Sequence, residues 1–463
     1  MLLKLFRKKN IEDLLTLSAK NSFKKTLGAF DLVMLGIGCT IGTGIFVITG
    51  VAAATYAGPA IAISYLIAAI VCIFAGLAYA ELASMVPVSG SAYTYSYAVL
   101  GEFVAWLVGW GLILEYGVGA STVALGWSGY VVGILESSGI ALPTHLTKSP
   151  SDGGIVNLPA ILISLFIGFL LIRGTKESIT LNRILVSVKL IVIFIFIVIA
   201  APMVKSENWL NFAPFGISGI FIGAATVFYA YIGFDAVATA AEECKNPKRD
   251  LPIGIIVSAL ICAVLYIAVS LMLTGIAHYT TLNNPEPLAR ALRENGSNIG
   301  SALVATGAVA GITSVLLVLI YGQSRIFFVM SRDGLIPKSF SKLSKKFNTP
   351  SFSVAMVALA VAFISGLFPL KTLSHITSLG TLFSFIVVAL GVIILRIKEP
   401  ERKRSFKCPA VFITAPLAIA GCSYLVYNLL IENGKYFAVW TIIGLMVYFG
   451  YGYKRSTLNI KKK

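Results

Sequence analysis

The chain has 463 residues, of which 57% are apolar and 12% charged, with a mean hydropathy of +0.88. A soluble domain carries roughly a quarter charged residues, so this composition excludes an ordinary soluble protein and predicts an all-α integral membrane protein. The net charge of +17 invites a nucleic-acid reading, which the placement of the charges argues against.

In chain order, residues 1–29 are basic but lack a signal peptide's short apolar core and small-residue cleavage site. They are expected to be an uncleaved cytoplasmic segment. Apolar runs of about 20 residues, enough to span a bilayer, are predicted at 30–50, 59–86, 99–132, 155–173, 179–201 and 216–240. Six more fall at 252–276, 299–330, 352–369, 374–396, 409–431 and 435–453. This predicts twelve transmembrane helices in one domain, 30–453, with a basic tail at 454–463. The third and eighth exceed a simple span and are expected to tilt or project. Continuous apolar runs exclude a β-barrel. With the N-terminus inside, the inner segments hold 29 Lys and Arg and the outer loops 6. That bias predicts a cell-membrane protein with both termini cytoplasmic. The basic ends, Lys4 to Lys25 and Lys454 to Lys463, would then face anionic lipid headgroups.

Helix 1 is interrupted at Ile41-Gly42-Thr43-Gly44-Ile45-Phe46. Glycine costs about 1 kcal/mol relative to alanine inside a helix, and a break in lipid leaves backbone groups without partners. One such pair could equally serve close helix packing. Helix 6 carries a second interruption, Ile232-Gly233-Phe234-Asp235. Paired breaks in two halves point to a secondary transporter with its site at the midplane. At Gly42, Thr43 and Gly44 the exposed amides form the positive end of a half-helix, which suits a carboxylate. The carbonyls of Tyr229, Ala230 and Ile232 form a negative end, which suits an ammonium. Together they would recognise the backbone of an α-amino acid. Helix 1 and helix 6 run in opposite directions, so helices 1–5 and 6–10 are expected to be inverted repeats, about 30–201 and 216–396. The appended helices then occupy 409–453.

Between the breaks, the Pro87–Tyr97 stretch is aromatic and is read either as an inner gate or as plain interfacial tyrosines. Glu115 sits between Gly111 and Gly119 on one helix face and either lines the pocket or pairs internally. Lys189, midway along helix 5, costs roughly 2.5–3.5 kcal/mol to insert. It reads as a proton-exchanging group or as a bridge to a helix carbonyl. Asp235 is expected to cap the second half of helix 6. Glu81, Glu242 and Glu243 are candidates for an inner gate. The outer loop 279–298 is a lid or a connector. Thr313 and Ser314 could hold sodium, but a neighbouring ammonium opposes a cation, which favours proton coupling. His145, His278 and His375 map to the outer side and are expected to be wetted surface residues. The six cysteines show no disulfide or metal spacing. No catalytic motif is found, so no enzyme, cofactor or metal is expected.

The segments Gly38–Gly50 (GCTIGTGIFVITG), Tyr79–Tyr97, Leu114–Gly117, Phe228–Glu243 (FYAYIGFDAVATAAEE), Asn246-Pro247, Pro252–Ile256 and Ser331–Pro337 keep their order and spacing. Together they resemble the amino acid–polyamine–organocation superfamily, in its bacterial cationic amino acid transporter form. The resemblance implies the leucine-transporter-like five-plus-five inverted repeat plus two helices, and proton-coupled amino acid import. It places carboxylate contacts on Ile41, Thr43 and Gly44, amine contacts on Tyr229, Ala230 and Ile232, and Lys189 near the sodium site of sodium-coupled relatives. It puts Glu115 and Ile320 beside the side-chain pocket. Gly111 stands where many relatives carry an acid, and Ile320 is large and apolar, so small neutral amino acids such as alanine are expected over cationic ones. The expected function is proton symport of L-amino acids by alternating access, with membrane lipids and no nucleic acid as surroundings. Exchange by the same site is the alternative, followed by sodium symport or a non-transporting sensor. Oligomeric state and accessory subunits are not legible.

Overall fold

The computed structural model describes residues 5–10, 12, 25–88, 90–173, 179–344 and 349–460. Lys4, most of the basic lead-in, Ser89 and the last three lysines lie outside the described residues. Among the described residues the regular elements are helical. Eight helices are long and apolar enough to cross a membrane, and three shorter apolar helices, Ala29–Thr40, Leu158–Ile172 and Ser351–Leu367, accompany them.

The first helix, α1 (Ala29–Thr40), ends where Ile41 turns extended, with ψ 101. Helical structure resumes as a π-helical turn, Gly44–Ile48, then α2 (Thr49–Ala52) and a second wide turn, Ala53–Ala57. The chain reverses at Gly58, whose φ of +59 belongs to the region glycine favours, and returns as α3 (Ile61–Met85). A short helix, α4 (Ser91–Val99), leads into α5 (Glu102–Ile113), a π-helical turn at Leu114–Val118, and α6 (Gly119–Ser137). Then follow α7 (Leu158–Ile172), α8 (Ile179–Ala200) and α9 (Gly216–Val227). After α9 the chain tightens into 3-10 turns on either side of Gly233, and continues as α10 (Pro247–Ile276). The remaining helices are α11 (Pro287–Glu294), α12 (Asn298–Arg332), α13 (Ser351–Leu367), α14 (Leu370–Lys398) and α15 (Val411–Val447).

The strongest packing joins α3 to α10, α14 to α15, α1 to α10, α7 to α13 and α6 to α12, while α1 also lies against Phe234–Glu243. Helical structure from Val411 to Arg455 runs 45 residues, about 68 Å if straight. It is not straight. Just before it, the Cys408 amide donates to Glu81 at the end of α3; just after it, the Ser456 hydroxyl donates to Glu102 at the start of α5. Both contacts flank the α4 connector, so the helix doubles back, with Asn433 bonded to His375 near its far end.

Two expectations change here. All nine residues of α4 are buried, so its tyrosines are not at a wet interface. Two of the three hydroxyls have partners inside, which helps a tyrosine to be buried: Tyr93 donates to Asp333 at 2.6 Å and Tyr97 to Glu102 at 2.9 Å, while that of Tyr95 has none among the described residues. His375 is likewise buried, not wetted; its ring lies between Thr226 and Asn433. The end of the bundle that carries the chain termini is tied by ions. Glu81, 1% exposed, accepts from Arg396, Arg404 and the Cys408 amide, and Lys9 meets Asp333 at 2.5 Å. Removing one partner of such a buried pair costs about 3–5 kcal/mol.

Candidate functional site

The two interruptions pack directly on one another. Gly233 has a φ of +122, and a Cβ there would come within 2.8 Å of the Cys39 carbonyl. A Cβ on Gly44 would overlap the Ala230 backbone. Glycine is therefore required twice, once for backbone conformation and once for close approach.

The last carbonyls of a helix have no intrahelical partner, and those of α1 can be accounted for. The Ile37 carbonyl accepts from the Ile41 amide at 2.9 Å. The Gly38 carbonyl accepts from Lys189 Nζ at 2.6 Å. The Thr40 carbonyl lies 3.0 Å from the Tyr266 hydroxyl, which is also 2.8 Å from the Ala230 carbonyl. Tyr266 thus bridges the two breaks from α10. Lys189 is wholly buried in α8, with its stem along Gly311 of α12.

A cavity of about 20 Å³ opens at the breaks, lined by Gly42, Thr43, Gly44, Glu115, Tyr229 and Ile232. The amides that begin the second half-helix have no intrahelical acceptor; they carry its positive dipole end. Val123, Val315 and Leu319 form an apolar wall, with Thr377 and Gly119 between. Ile41 and Ile320 are buried outside this lining, and the Ala230 carbonyl faces Tyr266. An amino acid needs more room than about one water's volume, so the lining must part to admit one.

Glu115 sits in the π-helical turn, 2% exposed, and its Oε2 is buried without a hydrogen-bond partner among the described residues. Asp235 lies in the first turn after Gly233, but that turn has no side-chain cap hydrogen bond and the Asp235 Oδ1 is buried without a partner among the described residues, so the expected capping role is not seen. Thr313 and Ser314 donate to the carbonyls of Val309 and Gly311, and Thr313 also accepts from Trp127. Sequence reading missed Tyr266, whose spacing marks it only as a residue of an apolar helix.

Residues 27–451 match the amino acid permease family over nearly the whole chain. The chain belongs to that family, within the amino acid–polyamine–organocation superfamily. This permease is 47% identical to the branched-chain amino acid permease BcaP of Bacillus subtilis, over 98% of the chain and 99% of the relative. It is 46% identical, over the same shares, to a methylthioribose transporter of that organism. A vacuolar cationic amino acid transporter 4 of Arabidopsis thaliana is 37% identical, over 86% of the chain and 68% of its own length. The permease is a multi-pass amino acid transporter and not an enzyme.

Proposed function

We propose that this permease imports small apolar L-amino acids together with a proton, by alternating access across the cell membrane, with both termini cytoplasmic. One observation carries the reading. Half-helix ends of opposite dipole sign meet at a single cavity with an apolar wall of Val123, Val315 and Leu319, Glu115 and Thr377 also lying in the lining. The amide end suits a carboxylate, the carbonyl end an ammonium, and the apolar wall an uncharged side chain.

The packing supports a five-plus-five inverted repeat and twelve crossings. The reversals at Gly58 and near Asn433 each divide one continuous helical stretch into two passes. Counted so, α3 packs on α10, α6 on α12 and α7 on α13, which are the second, third and fourth members of each half. Equivalent elements touching one another is what a two-fold axis produces. Lys189, which holds the end of α1, is the proposed proton-exchanging group.

The relatives' printed substrates differ, a branched-chain amino acid in one case and methylthioribose in the other, so similarity alone does not choose. The dipole pair favours the zwitterion. The test is uptake into sealed proteoliposomes of labelled leucine, alanine, arginine and methylthioribose, with an inward proton gradient and no sodium. Leucine or alanine should accumulate above equilibrium. Uptake only against internal amino acid would make the protein an exchanger, and methylthioribose accumulation without leucine would overturn the substrate class.

A further inference from the structure

A second cavity, of about 70 Å³, lies beside the first, between α4, the π-helical turn of Leu114–Val118, the 3-10 stretch of Phe234–Glu243 and α12. The two share a wall. Glu115 and Leu319 face the first cavity, while their chain neighbours Tyr116 and Val318 face the second. The second also takes in Arg325, six residues beyond Leu319, about 9 Å further along α12. That direction leads to Asp333 and its pair with Lys9, the end of the bundle that carries the termini. The cavities therefore stand in series between the midplane and that end.

Two donors in this second cavity lack acceptors. The Tyr116 side chain is 2% exposed, its ring packs against Gly322, and its hydroxyl has no hydrogen-bond partner among the described residues. A buried hydroxyl left so is costly. Arg325 is half-buried, with its guanidinium 4.4 Å from the centre of the Tyr321 ring. No carboxylate forms an ion pair with it among the described residues, although Arg7, Arg183, Arg293, Arg396 and Arg404 all have one. A planar guanidinium beside an unfilled hydroxyl is a donor set for a carboxylate. The remaining wall, with Val318, Ile326 and Val329, is apolar.

We propose that this second cavity is a transit station for the substrate, in which Arg325 and the Tyr116 hydroxyl bind the carboxylate of an amino acid that has left the central site. The proposal rests on the transport reading for its ligand. The station catches the carboxylate as the amides of the broken helix release it, about two helical turns away, and so lowers the barrier to exchange with the side that bears the termini. Its affinity must be weaker than that of the central site, or the cargo would stay.

The test uses a reporter that does not require transport. Thr239 lines the cavity and is half-buried, and the six native cysteines are all buried, so Thr239→Cys in purified protein offers one reactive thiol. L-Leucine should slow its reaction with N-ethylmaleimide roughly fivefold at about four times the dissociation constant. Isoamylamine, which keeps the side chain and amine but lacks the carboxylate, should not. Adding Arg325→Gln should abolish the protection while labelled leucine still binds the central site; Arg325→Lys should restore part of it. Tyr116→Phe, which keeps the ring on Gly322, should weaken it. Protection that persists in Arg325→Gln, equal protection by the amine, or no protection at all would overturn the station. The free carboxylate 4-methylpentanoate separates the two readings. If it protects a protein that fails both proton-driven uptake and exchange of labelled amino acid, the carboxylate site stands and the proposed transport of these substrates falls.

Discussion

Gly44 and Ala230 touch through their backbones, so that the second half of the first broken helix rests on the end of the other with no side chain between. A methyl group at position 44 would meet the Ala230 backbone, which cannot rotate away. At Gly42 a methyl group would meet only a Val315 side-chain carbon, at 3.1 Å. Gly44→Ala should therefore push the half-helices apart, costing about 1–3 kcal/mol and weakening leucine binding at least tenfold. Gly42→Ala should be much milder. Equilibrium binding and thermal unfolding in detergent, on protein that remains monodisperse, compare the two.

The Tyr266 hydroxyl lies between the Thr40 and Ala230 carbonyls. Tyr266→Phe leaves its ring among Tyr65 and Tyr231 but removes the one hydroxyl proton that the two buried carbonyls share. The expected loss is about 1–3 kcal/mol of stability, with slower transport because the breaks are no longer tied together. Thermal unfolding and leucine counterflow measure the two effects separately.

The breaks themselves were legible in the sequence because a Gly-Thr-Gly in the middle of an apolar run has few other uses. The flanking helices were legible from apolar length. What closes the site was not. Tyr93 and Asp333 are 240 positions apart, and nothing local distinguishes a tyrosine bonded to a distant aspartate from one at a lipid headgroup. Tyr266 looks like any residue of a hydrophobic helix until its hydroxyl is placed. The side-chain wall shows the same limit: a helix face can be read from spacing, but one residue's rotation decides between Leu319 and Ile320.

That rotation has a consequence for specificity. Leu319 lines the central cavity, whereas Ile320 is buried outside its lining. Leu319→Ala should enlarge the site and shift uptake from alanine toward leucine and larger apolar side chains, by roughly 10-fold for about 1–3 kcal/mol of pocket contact. Ile320→Ser should lower stability without opening the site to arginine. Competition of each amino acid against labelled leucine reads both ratios.

The loop helix α11 closes the opposite end of the bundle with Glu286, whose carboxylate rests on Gly133 and pairs with Arg293 at 2.5 Å. Burial raises this carboxyl above its usual range, although Arg293 pulls the other way. The docked loop therefore binds a proton more tightly than an undocked one. Docking should strengthen as pH falls through the raised value and weaken as pH rises through it, with no further gain below the ordinary carboxylate range. Hydrogen exchange of the α11 amides, corrected for intrinsic rates, should follow that sign, and Glu286→Gln should remove the dependence.

Lys189 links proton occupancy to the position of α1, because its ammonium holds the Gly38 carbonyl at 2.6 Å. As an ammonium it satisfies a helix-end carbonyl at the negative end of a dipole. As a neutral amine it is the weaker partner, and the half-helix is freer to move. Arginine keeps the donor and the charge but does not release a proton, while alanine removes both. Lys189→Arg should abolish accumulation driven by a pH gradient yet keep some exchange of labelled for unlabelled leucine. Lys189→Ala should abolish the same accumulation and exchange more slowly, because the Gly38 carbonyl has lost that partner. A structural bridge alone predicts arginine nearly normal in both assays and damage in alanine only. Gradient-driven accumulation and counterflow in the same proteoliposomes decide between them: intact accumulation in Lys189→Arg would remove the proton role and leave only the bridge.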